Sequence, residues 1–462
     1  MSQGDVSAHH PRRRTERRGL RLWPVGTVLA LTFATAVLVS AAVFFTGWDL
    51  LDARGLKPEH RLDSTTLFDL VKLSFGVVAG AGALVALVVA YRRQRVDEDG
   101  ALREDTRLHT ERFTTAVAQL GDASPAVRLG GVHALAGLAD DAPTLALRQT
   151  CIDVLCAYLR LPYTTEPDLP ADDAEARHAY RALREVRHTV IRLIRDHLRL
   201  GPADPHSWQG QDFDLTEVTF DGGDFTGAQF SDGRVNFANA HFSDGTVTFT
   251  DARFSGGTIN FTGAQFGARV SFARAEFCGA VVTFNGARFS GGMVAFSRAR
   301  FSGGRVNFSR AEFSGGRVSF TNTGFSGGRV EFAGAWFSGG AVVFAGARFY
   351  GGTVDFSRAQ FSGSTVGFNP AGFSGGTVAF TDARFSGGTT IFAGARFSDG
   401  TVDFSRAQFS DGTADFSDAW FPGGTVDFTR AEGVAPTGLV PPSGSLFPAG
   451  LTLPSTWYPA PS

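Results

Sequence analysis

The order of apolar and polar positions divides this chain into stretches of different period. From about Pro24 to Thr46 no residue is charged, enough chain for a helix across a hydrocarbon core of about 30 Å. A second apolar run extends from about Leu70 to Ala90, with Lys72 near its start, where its stem lets the ammonium reach the interface. From Glu104 to about Leu200 apolar residues recur at helical spacing. Phe113, Val117 and Leu120 suit one helix, and Val127, Leu129, Val132, Leu135 and Leu138 a second that opens at Ser124-Pro125. A third helix opens at Pro143 and carries Leu145, Leu147, Ile152, Leu155 and Leu159. Beyond an acidic linker near Glu166 to Asp173, Tyr180, Leu183, Val186, Val190, Ile191, Ile194 and Leu198 mark a long fourth helix.

After Phe213 the period changes again. Up to Phe428 the phenylalanines step by 7 and 5 residues in alternation, with slips at Phe225 to Phe230 and at Phe266 to Phe272. Val or Ala precedes most of them by two positions, as in Val378-Ala-Phe380 and Ala383-Arg-Phe385. Such pairs put both apolar side chains on one side of an extended segment, so each forms a short wall of a coil. Ser-Gly-Gly and Ser-Asp-Gly elements mark corners, where a positive φ is cheap only for Gly, Asn or Asp. Twelve residues per coil would leave a tube too thin for two Phe, a Val and an Ala, and eighteen is incommensurate with the alternation. Twenty-four gives four walls, about eight coils, and a rod about 40 Å long.

Composition sharpens this picture. The chain has 57 Gly and 44 Phe in 462 residues, and the Phe excess falls in the periodic block, the mark of a repeat architecture. The net charge of -2 conceals local bias. Arg12, Arg13, Arg14, Arg17, Arg18 and Arg21 precede the first apolar run and Arg92, Arg93 and Arg95 follow the second, while the intervening loop mixes both signs. The excess of basic flanks predicts cytoplasmic termini and a short loop outside. Gly76 and Gly80 form a small-residue face suited to close helix packing, within the hairpin or in a homodimer. Cys151, Cys156 and Cys278 have neither disulfide nor zinc spacing, and the histidines of the helical stretch share no ligand face. No catalytic, cofactor or metal site is expected, and the chain is not expected to be an enzyme.

The periodic block resembles the pentapeptide-repeat proteins, whose unit Ala383-Arg-Phe385-Ser-Gly matches, with Ala and Phe inward. The departure is two extra residues in alternate walls, as in Phe385 to Phe392. The stretch from Arg112 to Gly131 also resembles the helical segment preceding the repeats in membrane-anchored bacterial members. The resemblance implies a right-handed four-sided β-helix. The expected whole is multi-domain α plus β: a basic N-terminus (1–22), a two-helix transmembrane hairpin (23–91), a small HEAT-like helical domain (104–200), the β-helix (211–430) and a Pro-rich tail (431–462).

For function, a DNA-mimicking rod that protects a topoisomerase needs sustained negative charge. Here acidic first coils give way to a basic middle carrying Arg298, Arg300, Arg305, Arg310, Arg317 and Arg329, opposed only by Glu312 and Glu331. Nucleic acid is therefore not an expected partner. The candidate interaction patch is Arg298, Arg300, Arg305, Arg317 and Arg329, with Arg305 and Arg329 stacked on one wall and Arg317 opposite. The expected role is a non-enzymatic scaffold or protein-interaction module on the cytoplasmic face of a bacterial inner membrane, for an unknown protein partner. The alternative is a membrane-bound sensor or signalling subunit.

Overall fold

The structure is a computed structural model that describes residues 25–50, 63–170, 172–440 and 447–458. The basic residues Arg12 to Arg21, the loop carrying Arg54, Lys57 and Arg61, and Pro441 and Pro442 lie outside those residues. By contacts the chain divides into Met1–Asp105 and Thr106–Ser462.

In the first unit, helix α1 spans Val25–Leu50, and α2, Ser64–Leu120, runs on into the second. Among the described residues one stretch, Leu67–Asp97, is long and apolar enough to cross a membrane. The expectation of two spans is thus met by two helices but by only one candidate span. Side chains added at Gly76 and Gly80 would meet nothing within 4 Å.

The helical part of the second unit comprises the end of α2, α3 (Pro125–Asp140), α4 (Leu145–Arg160) and α5 (Ala174–Arg199). Each begins where the chain supplies a start signal. Pro125 sits in the first turn of α3, Thr144 accepts from the Leu147 amide, and Asp173 accepts from the Ala176 amide. The first predicted helix, around Phe113, is instead the end of α2. Ala116 and Leu120 on α2 pack with Val132, Leu135, Ile152, Leu155, Val186 and Val190 in one core. Gly131 permits the crossing of α3 on α2: a Cβ there would stand 2.6 Å from the Leu120 nitrogen. Val117 and Leu145, expected in that core, are exposed because they lie on the outer faces of their helices.

The remainder is a β-solenoid of about ten coils of parallel strands. Phe277 pairs with Phe301, Phe301 with Phe325, and Phe325 with Phe349, a coil of 24 residues. The two sequence slips shorten single coils. Thr219 pairs with His241, 22 residues on, and Glu276 with Arg253, 23 residues back. The strands form two sheets, one of 14 strands beginning at Phe213–Asp214 and one of 17 including Thr219–Phe220.

Inside, the phenylalanines form four columns. In one, Phe237, Phe261, Phe284 and Phe308 follow each other coil by coil with near-parallel rings 4.6 to 4.7 Å apart. The column through Phe296 meets that through Phe308 edge to face at 5.7 Å, a favoured ring geometry. Most of these rings are fully buried.

Two kinds of bend separate the walls. Some Gly-Gly elements lie within long strands as bulges, as in Gly372–Ala379 with register shifts at Phe373/Ser374 and Ser374/Thr377, and others, such as Gly256-Gly257, are bends between two short strands. The five-residue steps are tight turns in which the Ala amide donates to the Phe carbonyl, as Ala383 does to Phe380 at 3.0 Å. The residue before that Ala has positive φ, as in a type II turn: 57° at Asp382, and 59° at both Arg298 and Arg358.

Both ends of the stack are covered. Helix α5 and buried Trp208 lie over the first coils. The sequence leaves the Pro-rich tail either over the last coil or hanging free; in the structure it lies over the coil, where Leu451–Thr452 pairs with Val426–Asp427 and extends the ladder. Trp457 then packs on Phe409 and Phe428, each at 5.7 Å, and its indole donates to the Gly433 carbonyl.

Candidate functional site

The solenoid repeats its backbone every coil, so its outer surface is a grid on which side chains of successive coils stand about 4.8 Å apart. The predicted patch divides on this grid. Arg305 pairs in register with Arg329 on the smaller sheet, while Arg317 lies on the other sheet, between Met293 and Ala341. Glu331, which is 7% exposed, is held between Arg305 and Arg329, at 2.8 Å from the former. Arg329 also reaches Asp355 at 3.6 Å, and Arg300 reaches Glu276 at 3.5 Å. The smaller-sheet half of the patch is therefore largely neutralised. Among the described residues Arg298 and Arg317 form no ion pair.

The arginine face of α5, which the sequence leaves as a solvated helix surface or a site near anionic lipid or another acidic surface, meets the acidic first coils and holds the helical part on the solenoid. Asp221, 2% exposed in the first coils, is its focus. Tyr163 and Tyr180 donate their hydroxyls to Oδ2 at 2.6 and 2.7 Å, Arg184 donates to the same oxygen at 3.0 Å, and His188 Nε2 lies 3.1 Å from Oδ1. Burial works to raise the Asp221 pKa, but the bonds from His188, Tyr163 and Tyr180 outweigh it and hold the carboxyl well below its usual range. Burial together with the Asp221 bond pushes Tyr180 up to about 12 and Tyr163 further. Arg187, also buried, donates to the carbonyls of Leu159 and Thr219 and lies over the Tyr163 ring. Arg195 pairs with Asp224, and Arg199 donates to the Thr226 carbonyl at 2.6 Å. The helix before Trp208 is expected from the sequence to cap the first coil, but the residues that hold it there were not identified, because helical periodicity locates the arginines on a face but does not say which groups that face meets. The acidic run Asp212, Asp214, Asp221 and Asp224 was the available signal.

A second cluster fixes the end of α5. Trp208 donates to Asp140 Oδ1 at 3.0 Å, and His197, stacked on the indole, faces Asp140 Oδ2 at 3.0 Å and the Leu193 carbonyl at 2.7 Å. Burial works to lower the His197 pKa, yet those two acceptors raise it.

Among the described residues no three or more His, Cys, Asp or Glu are placed to hold a metal ion. Burial pushes the Cys151 and Cys156 thiols up to about 11 and about 12, which suppresses the thiolates.

Among the described residues, polar clefts include two on the solenoid. One, of about 680 Å³, lies where Tyr163, Thr165 and Asp168 overhang His241, Gln265 and Arg288. The other, of about 740 Å³, follows the turn edge past Arg310, Gly334, Arg358, Asp382 and Arg406. These features define a β-solenoid of stacked parallel coils with regular Phe, consistent with a pentapeptide-repeat fold. No family model, curated protein or solved structure matches the chain.

Proposed function

We propose that this chain is a non-enzymatic, membrane-anchored scaffold that presents its β-solenoid to a protein partner in the cytoplasm of a bacterial cell. The observation that carries the reading is a regular rod with a buried aromatic interior and covered ends. What varies from coil to coil is the outward side chain, as in a binding surface built on an invariant frame. Helix α1 and the apolar stretch Leu67–Asp97 support the anchoring. The arginines flanking the apolar runs support cytoplasmic termini. The open space over Gly76 and Gly80 is compatible with a second helix packing there, in a homodimer or within the hairpin.

The test is site-specific photocrosslinking in the native host. Probes are placed on the exposed solenoid positions Thr377 and Thr401 and, separately, on the outer helical positions Val127 and Leu145. A discrete protein adduct from the solenoid positions supports the scaffold reading. Adducts from the helical positions alone would mean that the rod is not the working surface. Alkaline extraction of membranes checks the anchoring: retention in the pellet is expected, and release into the supernatant would remove it.

A further inference from the structure

The left-handed position of the tight turns has its own charge pattern. Where Arg occupies it one coil after Asp, the two pair: Arg274 with Asp251 at 2.7 Å, and Arg406 with Asp382 at 2.7 Å. Arg310 and Arg358 occupy the same position on one edge, two coils apart, about 9.6 Å by the strand spacing. Between them stands Gly334, which has no side chain, so the two arginines flank a gap. Among the described residues neither forms an ion pair within 4 Å, although Arg358 helps lower the pKa of Asp382 in the next coil. Two residues beyond Gly334 is Trp336, 52% exposed, in register between Glu312 and Gln360. Arg317, also without an ion pair, lies on the same sheet as Trp336, and the neutralised arginines Arg300, Arg305 and Arg329 lie on the other.

We infer that the turn edge formed by Arg310, Gly334 and Arg358, with Trp336 beside it, is the docking surface for an acidic protein segment carrying an apolar residue between its carboxylates. Trp and Arg are the residue types that dominate binding hot spots, because each brings large area and directional polar contact. A guanidinium engages a carboxylate through two parallel hydrogen bonds. The charges nearby favour a protein over a nucleic acid. Glu312 and Asp382, paired with Arg288 and Arg406, break the edge into discrete cationic positions, which suit separate carboxylates better than a continuous phosphate backbone.

This inference rests on the scaffold reading and names the chemistry of its partner. The repeat itself supplies safe variants. Glycine occupies the Arg310 position at Gly286 and Gly334, and glutamine occupies the Trp336 position at Gln265, Gln360 and Gln408. The full chain is titrated by fluorescence anisotropy with a labelled peptide, Asp-Glu-Asp-Leu-Trp-Glu-Asp-Glu. The comparison probes are the Asn/Gln version of that peptide, a single-stranded oligonucleotide and vesicles containing anionic lipid. The acidic peptide is expected to bind at least tenfold more tightly than the amide version. The double variant Arg310→Gly/Arg358→Gly and the single variant Trp336→Gln should each weaken it at least fivefold, while Arg305→Gln leaves it unchanged. Equal affinity for the two peptides, indifference to the edge variants, or tighter binding of the oligonucleotide or the vesicles overturns the inference. A solenoid crosslink in the host together with a failed titration would discard this surface and keep the scaffold.

Discussion

Asp221 is the residue on which the attachment of helices to solenoid converges, since two tyrosines, an arginine and a histidine all address one carboxylate. Removing one member of a buried charged network leaves the others desolvated without a partner, at a cost of about 3 kcal/mol or more. Asp221→Ala is therefore expected to lower the unfolding free energy by about that amount, whereas Thr401→Ala, on an exposed wall, should change it little. Chemical denaturation of the purified chain measures both, and a loss below about 1 kcal/mol for Asp221→Ala would contradict the network. The pH dependence has two signs. The depressed pKa of Asp221 gives a contribution present above the ordinary Asp value of about 3.9 and lost as pH falls through the folded value. The raised pKa of His197 gives a contribution complete below about 6.5 and lost as pH rises through its folded value. Stability should thus decline from neutral toward mildly alkaline pH, and His197→Gln should flatten that decline. Denaturation midpoints collected between about pH 6 and pH 9 decide it; identical slopes for both proteins would discard the role of His197.

At the scale of elements, the strand-turn unit shows what the sequence made visible. The 24-residue coil follows from inward pairs such as Ala383 and Phe385, because a packed interior must accommodate a countable set of side chains. The stacking of Arg305 on Arg329 follows from that period alone. The tight turn was not visible, because its left-handed position holds Arg298, Arg358 or Asp382 as readily as Gly, and Arg is not a turn residue. The interval between Phe and Ala sets the turn geometry, and Arg is held in the left-handed position there despite its steric cost. The tail was hidden for a related reason: its prolines announce the end of regular structure, yet Leu451–Thr452 still adds a strand because the last coil offers an unpaired edge. Covering that edge also covers aromatic rings. Trp457→Ala should cost about 3 kcal/mol. Ending the chain after Val434 should expose Phe409 and Phe428 and promote end-to-end association. Sedimentation velocity detects such association, and a truncated chain that stays monodisperse at the stability of the parent would show that the tail is not a cap.

For the solenoid and its two covers taken together, the governing fact is that each coil touches only its neighbours. Cooperativity along the rod must then be carried by the Phe columns and the ladder bonds, with the helices closing one end and the tail the other. Phe308 sits mid-rod, between Phe284 at 4.6 Å and Phe332 at 4.8 Å, and meets Phe296 and Phe320 edge to face at 5.7 and 6.0 Å. Phe308→Ala removes these contacts and leaves a cavity in an interior with no second layer to collapse into it, a loss of about 3 to 5 kcal/mol. In a globular core that loss would lower a single transition. In a one-dimensional stack it weakens one link, so the coils on either side should unfold separately, each secured by its own cover. The expected result is a two-step denaturation curve. Hydrogen exchange should show lost protection around Phe284, Phe308 and Phe332 before the capped ends open. Phe421→Ala, at a partly buried ring near the last coil, should instead shorten the rod from one end and keep one main transition. A single transition for Phe308→Ala, with protection lost uniformly from Phe213 to Phe428, would mean that coupling along the columns is long-ranged and the rod is one cooperative body.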